Sequence, residues 1–191
     1  MKKIIDLGMH PYADTFISND QVQMSEPVFP LQCMLDETTG HVTLKYETNS
    51  DERYNLYHYS YTSANSKFSR NHWDTYAKHV SSKLKLEPNS NLLEIGSNDG
   101  YLSEQFKNLG HEVLGIDPSK KMHAIAEERG IKTICDLFNH DVSKKIQNTF
   151  RKFDLIIANN VFNHSNDPID FAAGVKDLLK DDGVFIFEVP Y

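Results

Sequence analysis

The chain has 191 residues, 39% of them hydrophobic and 25% charged, enough to bury one core with a small second module beside it. Lys and Arg number 20 against 27 Asp and Glu, a formal net charge of −7, and the pairs Lys2-Lys3, Lys120-Lys121 and Lys144-Lys145 are scattered, so a nucleic-acid partner is not expected. No stretch approaches the roughly 18 to 20 apolar residues of a membrane span, only Ile4 and Ile5 follow the N-terminal lysines, and Cys33 and Cys135 form no CxxC pair; we expect no signal peptide, no membrane, no disulfide framework, no cysteine metal site and a cytoplasmic location.

From Met1 to about Ser66 the chain is rich in aromatics, Thr, Asn and turn residues, and alternation such as Val42-Thr43-Leu44-Lys45-Tyr46 predicts short antiparallel strands in a small β-rich module, residues 1–66. Trp73, Tyr76, Ala77, Val80 and Leu84 then recur at spacings of three and four, the stripe of an amphipathic connecting helix within 67–88. From residue 89 strand and helix alternate. Leu92–Ile95 is a short apolar strand, Tyr101–Leu109 a helix closed by Gly110, and Glu112–Ile116 a second strand. Pro118-Ser119 opens a helix that stops at Gly130, Ile131–Cys135 is a third strand, and a helix over about Val142–Phe150 follows. Asp154–Ala158 is a fourth strand, Pro168–Leu179 a helix, and Asp181-Asp182-Gly183 turns into a fifth strand, Val184–Val189. Strands this apolar, alternating with helices, predict an α/β fold: a Rossmann-like parallel sheet of about five strands with helices on both faces, its ligand edge at the strands' C-terminal ends.

Chemistry concentrates in Glu94-Ile95-Gly96-Ser97-Asn98-Asp99-Gly100, a strand end running into a helix. Such a turn is expected to leave free backbone N–H groups and a helix N-terminus beside a ligand. Gly96 and Gly100 allow close backbone approach, and Asn98 tolerates left-handed geometry. Asp117, at the end of the second strand, can accept both hydroxyl protons of a ribose.

The runs LLEIGSNDGYL, GIDPS and ANNVFNH resemble the class I methyltransferases, most closely the sugar C-methyltransferases that act on nucleotide-linked deoxysugars, and the resemblance covers nearly the whole chain. It implies S-adenosylmethionine as cofactor. Glu94, Gly96, Ser97, Asn98 and Gly100 match the family's first cofactor motif, which serves the methionine part. Asp117 matches the acid that holds the ribose, followed by Pro118 and Ser119, and Asp136, Leu137 and Phe138 match the segment bordering adenine, with Leu137 and Phe138 equally readable as core. Asn159 and Asn160 end the fourth strand facing the methionine ammonium, and His164 stands where the family tends to carry a histidine that orients substrate or relays a proton; a capping or surface histidine fits as well. Tyr59 and Tyr61 match tyrosines that approach a nucleotide diphosphate, with packing against the core the alternative. The implied acceptor is a small molecule, a nucleotide-sugar in the closest case.

Leu7-Gly8-Met9-His10-Pro11, Phe29-Pro30-Leu31 and Gly40-His41-Val42 resemble the family's N-terminal zinc-binding domain, but Asp36 and Thr39 stand at its second cysteine pair, so no metal is expected. The core reads as truncated after its fifth strand, which leaves an edge for a homodimer partner or a complementing C-terminal polypeptide to cover. Two rivals stay open: a non-catalytic S-adenosylmethionine-binding subunit or half of a split enzyme, and a nicotinamide-dependent oxidoreductase, against which the GxxxG spacing of Gly96 and Gly100 counts.

Overall fold

The computed structural model describes residues 1–13, 15–56, 58–59 and 61–190. Two compact units emerge, Met1–Ser60 and Tyr61–Tyr191.

The first unit is built on strands β1 (Lys2–His10), β2 (Thr15–Phe16), β3 (Phe29–Leu35), β4 (Val42–Leu44) and β5 (His58–Tyr59). β3 is the centre of an antiparallel sheet ordered β1-β3-β4, and β2 pairs with β5. β1 is a strand that alternation did not announce. Its register slips twice, between Lys3 and Ile5 and between Asp6 and Met9, and Gly8 sits at φ 83° inside the second slip, its N–H donated to Asp6 Oδ1. The β3–β4 turn is closed from within. Asp36 Oδ1 accepts from Thr38 N, its Oδ2 accepts from Thr39 Oγ1, and its main-chain O accepts from Gly40 N, each at 2.8 to 2.9 Å. The two side chains standing at the resemblance's cysteine positions thus bond to each other. Cys33 is half-buried on β3, and among the described residues no three His, Cys, Asp or Glu side chains gather to hold a metal ion.

The second unit holds α1 (Lys67–Leu84), β6 (Asn91–Ile95), α2 (Tyr101–Asn108), β7 (Glu112–Ile116), α3 (Lys120–Glu128), β8 (Lys132–Ile134), α4 (His140–Thr149), β9 (Phe153–Asn159), α5 (Pro168–Leu178) and β10 (Leu179–Glu188). The five strands are all parallel, ordered β10-β9-β6-β7-β8. β6 therefore has β7 on one side and β9 on the other, and the chain reverses direction across it; in open α/β sheets the ligand crevice forms at such a point, here the C-terminal ends of β6 and β9.

Helix starts follow local chemistry. Ser66, Ser119, Asn139 and Asp167 each accept an N–H of the first turn of α1, α3, α4 and α5, and Pro168 takes the first position of α5. α2 lacks such a cap; Gly100 precedes it at φ 75°. The fifth strand begins earlier than expected. α5 passes directly into β10 at Leu179, and the Asp181-Asp182-Gly183 turn becomes a bulge within the strand, between the pairs Leu179–Phe153 and Val184–Leu155.

Two apolar layers flank the sheet. On one face α1 and α2 bring Trp73, Ala77, Val80, Leu102 and Phe106 onto Leu92, Leu155 and Ile157. On the other, Val142, Ile146, Phe171 and Val175 of α4 and α5 cover Leu93, Ile95, Ile156 and Ala158. Neighbours on a strand alternate between layers, as pleating requires. Among the described residues no helix is long and apolar enough to cross a membrane.

Phe106 is 1% exposed at the centre of the first layer. Phe106→Ala is expected to cost about 3 to 5 kcal/mol through lost burial and a residual cavity, read as a lower urea midpoint with an unchanged slope.

Candidate functional site

Strand parity decides where the polar groups of the crevice point. Leu92 faces α1 and α2, so Glu94 does too, and its buried carboxyl accepts a hydrogen bond from Ser103 Oγ of α2. By the same parity Asn159 follows Leu155 and Ile157 toward α1, where Tyr76 donates its hydroxyl to Asn159 Oδ1 at 3.2 Å. Burial pushes the Tyr76 phenol up to about 12. Asn159 Nδ2 is buried and has no hydrogen-bond partner among the described residues.

Gly96, Asn98 and Gly100 are left-handed, with φ of 71°, 50° and 75°. A Cβ on Gly96 would run into Val161, just past β9, and one on Gly100 would lie 2.9 Å from Ala126 Cβ of α3. Glycine is needed at both for conformation and for space. Five of the N–H groups from Gly96 to Tyr101, however, are donated within the protein. Gly96 N and Ser97 N donate to Ile116 O at 2.7 and 3.1 Å, Asn98 N to Asp117 Oδ2 at 2.9 Å, Gly100 N to Ser97 O, and Tyr101 N to Asp99 Oδ1. The tight turn brings these donors onto acceptors of β7 and of the loop itself, so the expectation of amides waiting for a ligand is corrected.

Asp117 is 7% exposed; its Oδ2 takes Asn98 N and its Oδ1 takes Ser119 N at 2.9 Å. Each oxygen keeps capacity for another donor. Burial raises its carboxyl above the usual range, the two N–H bonds oppose the rise, and Asp99 adds repulsion. Glu94, Asp99 and Asp117 therefore form a buried group of acids under one loop.

The Asn98 and Asp99 side chains turn toward the segment before α1. Asn98 Oδ1 accepts from Ser63 N at 2.9 Å, Asn98 Nδ2 donates to Tyr61 O at 3.2 Å, and Asp99 Oδ2 accepts from Ala64 N at 3.2 Å. Residues 61–66, which the composition groups with the β-rich module, are thus hydrogen-bonded to the loop. Tyr61 is exposed, and desolvation, with the carboxylates of Asp99 and Glu188, raises its phenol. The Tyr59 side chain lies outside the described residues.

Pro118 O lies 3.9 Å from Cys135 Sγ, joining the ends of β7 and β8. Asp136 Oδ1 accepts from Leu137 N, Leu137 is exposed, and Phe138 packs inward at 4.9 Å from the Phe171 ring, so of these two apolar side chains Leu137 stays on the edge and Phe138 belongs to the core. Asn160 is left-handed at φ 56°; its N–H donates to Glu188 O and its Nδ2 to Glu188 Oε1. His164 is exposed at the end of the turn Phe162–His164, whose Phe162 packs against Phe171, Phe185 and Phe187. Sequence reasoning missed Ser103, Tyr76 and a pair at the end of β10, His72 Nε2 with Glu188 Oε2 at 3.5 Å. Tyr76 was hidden in an apolar stripe; its hydroxyl, midway along α1, was the available signal.

Burial pushes the Glu94 carboxyl from 4.5 up to about 8, opposed by the Ser103 hydrogen bond and helped by Asp99 and Asp117. The folded state keeps a proton that the unfolded chain releases above 4.5, so this group's stabilisation is full below pH 4.5 and is lost as pH rises toward 8. Glu94→Gln cannot ionise. Its stability relative to the parent protein is expected to rise with pH across that window, by up to about 1.4 kcal/mol per pH unit, in urea titrations; parallel pH profiles would contradict this.

Comparison with known proteins agrees with this architecture. Residues 68–191 match the family described as "Methyltransferase domain". The C-methyltransferase NovU of Streptomyces niveus is 27% identical over 188 residues, 98% of this chain and 44% of NovU. A ubiquinone biosynthesis O-methyltransferase of Pelagibacter ubique is 34% identical over 105 residues, 55% of this chain and 44% of that protein. The chain thus spans less than half the length of these relatives. Among solved structures, the plantazolicin methyltransferase BpumL, in complex with a pentazolic desmethyl analog and SAH, superposes with a TM-score of 0.52 at 19% identity, over 64% of this chain and 48% of that one. An S-adenosylmethionine-dependent methyltransferase from Clostridium acetobutylicum gives 0.50 at 25% identity, over 66% and 52%. With more than half of its residues matched by that model, the chain belongs to the methyltransferase domain family.

Proposed function

We propose that this chain binds S-adenosylmethionine across the Gly96–Gly100 loop and is the cofactor-binding part of a methyltransferase acting in the cytoplasm on carbon of a small molecule, a nucleotide-linked sugar in the closest case. The observation that carries the cofactor is the pairing of spent amides with buried acids. A pyrophosphate needs free N–H groups at such a turn, whereas here five loop and helix-start amides are donated within the protein, and Glu94, Asp99 and Asp117 lie beneath. With Glu94 protonated at neutral pH and Asp99 paired with Arg129, the turn offers Asp117 oxygens as acceptors in place of free anion-binding donors, which suits a ligand bearing hydroxyls and an ammonium better than a pyrophosphate. Carbon as the acceptor atom is supported by NovU, which matches 98% of the chain, first unit included, while the O-methyltransferase match covers 55%.

The residues present fit such a ligand. Asp117 would accept the ribose hydroxyls with the capacity its backbone partners leave, Asn159 Nδ2 suits an acceptor such as the amino-acid carboxylate, and Leu137 offers an apolar edge to the base. The bound cofactor supplies an electrophilic methyl group, and the protein's task is to position an acceptor against it, which contributes about 7 to 11 kcal/mol in favourable systems. A carbon acceptor must also lose a proton. His164, and His72 paired with Glu188, are the imidazoles at this edge assigned to take it, and Tyr61, with Tyr59 as its sequence partner, is assigned to the acceptor. A second reading is cofactor binding without turnover; binding with no transfer of labelled methyl would support it.

Calorimetry is expected to show S-adenosylhomocysteine binding to the full chain and no heat with NAD. Asp117→Asn is expected to weaken that binding at least about tenfold, roughly 1.4 kcal/mol. Heat with NAD and none with S-adenosylhomocysteine would overturn the cofactor reading.

A further inference from the structure

Asn98 uses its main chain and its side chain in opposite directions. Its N–H is held by Asp117 Oδ2, the acid assigned above to the ribose. Its amide group grips the backbone of the segment leading into α1, accepting from Ser63 N and Ser63 Oγ and donating to Tyr61 O. Asp99 adds the Ala64 N–H, and Arg70 Nη1 of α1 caps the same stretch through Ala64 O at 2.8 Å. A strap of four residues is therefore fastened to the loop through two side chains, and the backbone of one of them, Asn98, is set from Asp117.

We infer that Asn98 is a positioning residue coupling occupancy of Asp117 to the order of the Tyr61–Ala64 strap, so that a bound cofactor fixes the strap carrying Tyr61 before the acceptor arrives. The inference rests on the cofactor reading above. Its physical basis is that a single residue of the loop, Asn98 at φ 50°, joins both sets of bonds. A ligand donating to Asp117 pins that carboxylate, the carboxylate pins the Asn98 N–H, and the fixed Asn98 backbone holds its side chain on the strap. The strap lacks helix or strand pairing of its own between Tyr61 and Ser66, so these side-chain bonds decide its order. Coupling is reciprocal: whatever factor the ligand adds to strap order, the strap adds to ligand affinity.

The test is hydrogen–deuterium exchange of the Ser63 and Ala64 amides in the full chain, with and without saturating S-adenosylhomocysteine, alongside calorimetric affinity. Exchange at both amides is expected to slow about tenfold when the ligand binds. Asn98→Gly keeps the left-handed backbone and the N–H to Asp117 but deletes the grip on the strap. It is expected to lose the slowing at Ala64 and to bind the ligand more weakly by a matching factor, an agreement of two numbers that a merely structural role would not produce. Ser63→Pro removes the Ser63 donor from the strap side, leaves the loop untouched and should behave alike, which decides the matter if Asn98→Gly does not fold. Ligand binding that leaves both amides unchanged, or full slowing retained in the variants, would overturn the coupling while the cofactor reading stands. No binding to the parent chain at millimolar ligand would overturn both.

Discussion

Asp117 and the amides around it set the geometry on which the site depends. The carboxylate that follows β7 is buried, and burial without partners would be costly. The chain meets that cost with the N–H of Asn98 from the glycine loop and of Ser119 from the start of α3, so one side chain fixes both the loop and the next helix. Around it, Ile116 O takes two further loop amides. The loop is thereby shaped by protein acceptors before any ligand comes, and what is left at Asp117 is open acceptor capacity in place of anion-binding donors.

Much of the second unit was legible. Strands of bulky apolar residues ending at acids, Gly110 and Gly130 closing helices, and Ser, Asn and Asp as caps are local signals that tertiary context did not override. Parity was legible too in principle: Leu92 and Leu93 belong to opposite layers, and Glu94 follows from them. What could not be read were partners distant in sequence. Ser103 under Glu94, Tyr76 on Asn159 and Glu188 beside His72 lie 9, 83 and 116 residues apart, and nothing in composition brings them together. The loop amides illustrate the same limit, since their acceptors come from the next strand.

The first unit resisted for a different reason. β1 carries Ile4, Ile5, Leu7 and Met9, all exposed, in a strand whose two register slips scramble alternation. Its hairpin turn is self-sufficient: Asp36 organises three neighbours with its own oxygens, and these bonds hold its carboxyl below the usual range, so local order there arises from a short polar network.

The division of β6 and β9 between two layers also restricts how such a chain can vary. A substitution at Glu94 or Asn159 alters one buried group, but inserting or deleting a single residue in either strand would rotate every later side chain onto the opposite face. The acid and the amide would then sit among Phe171, Val175 and Ile146, away from Ser103 and Tyr76, while apolar neighbours from the other layer would turn beneath α1 and α2. Drift in length is therefore confined to the turns, and these two strands can be rewritten letter by letter but not respaced.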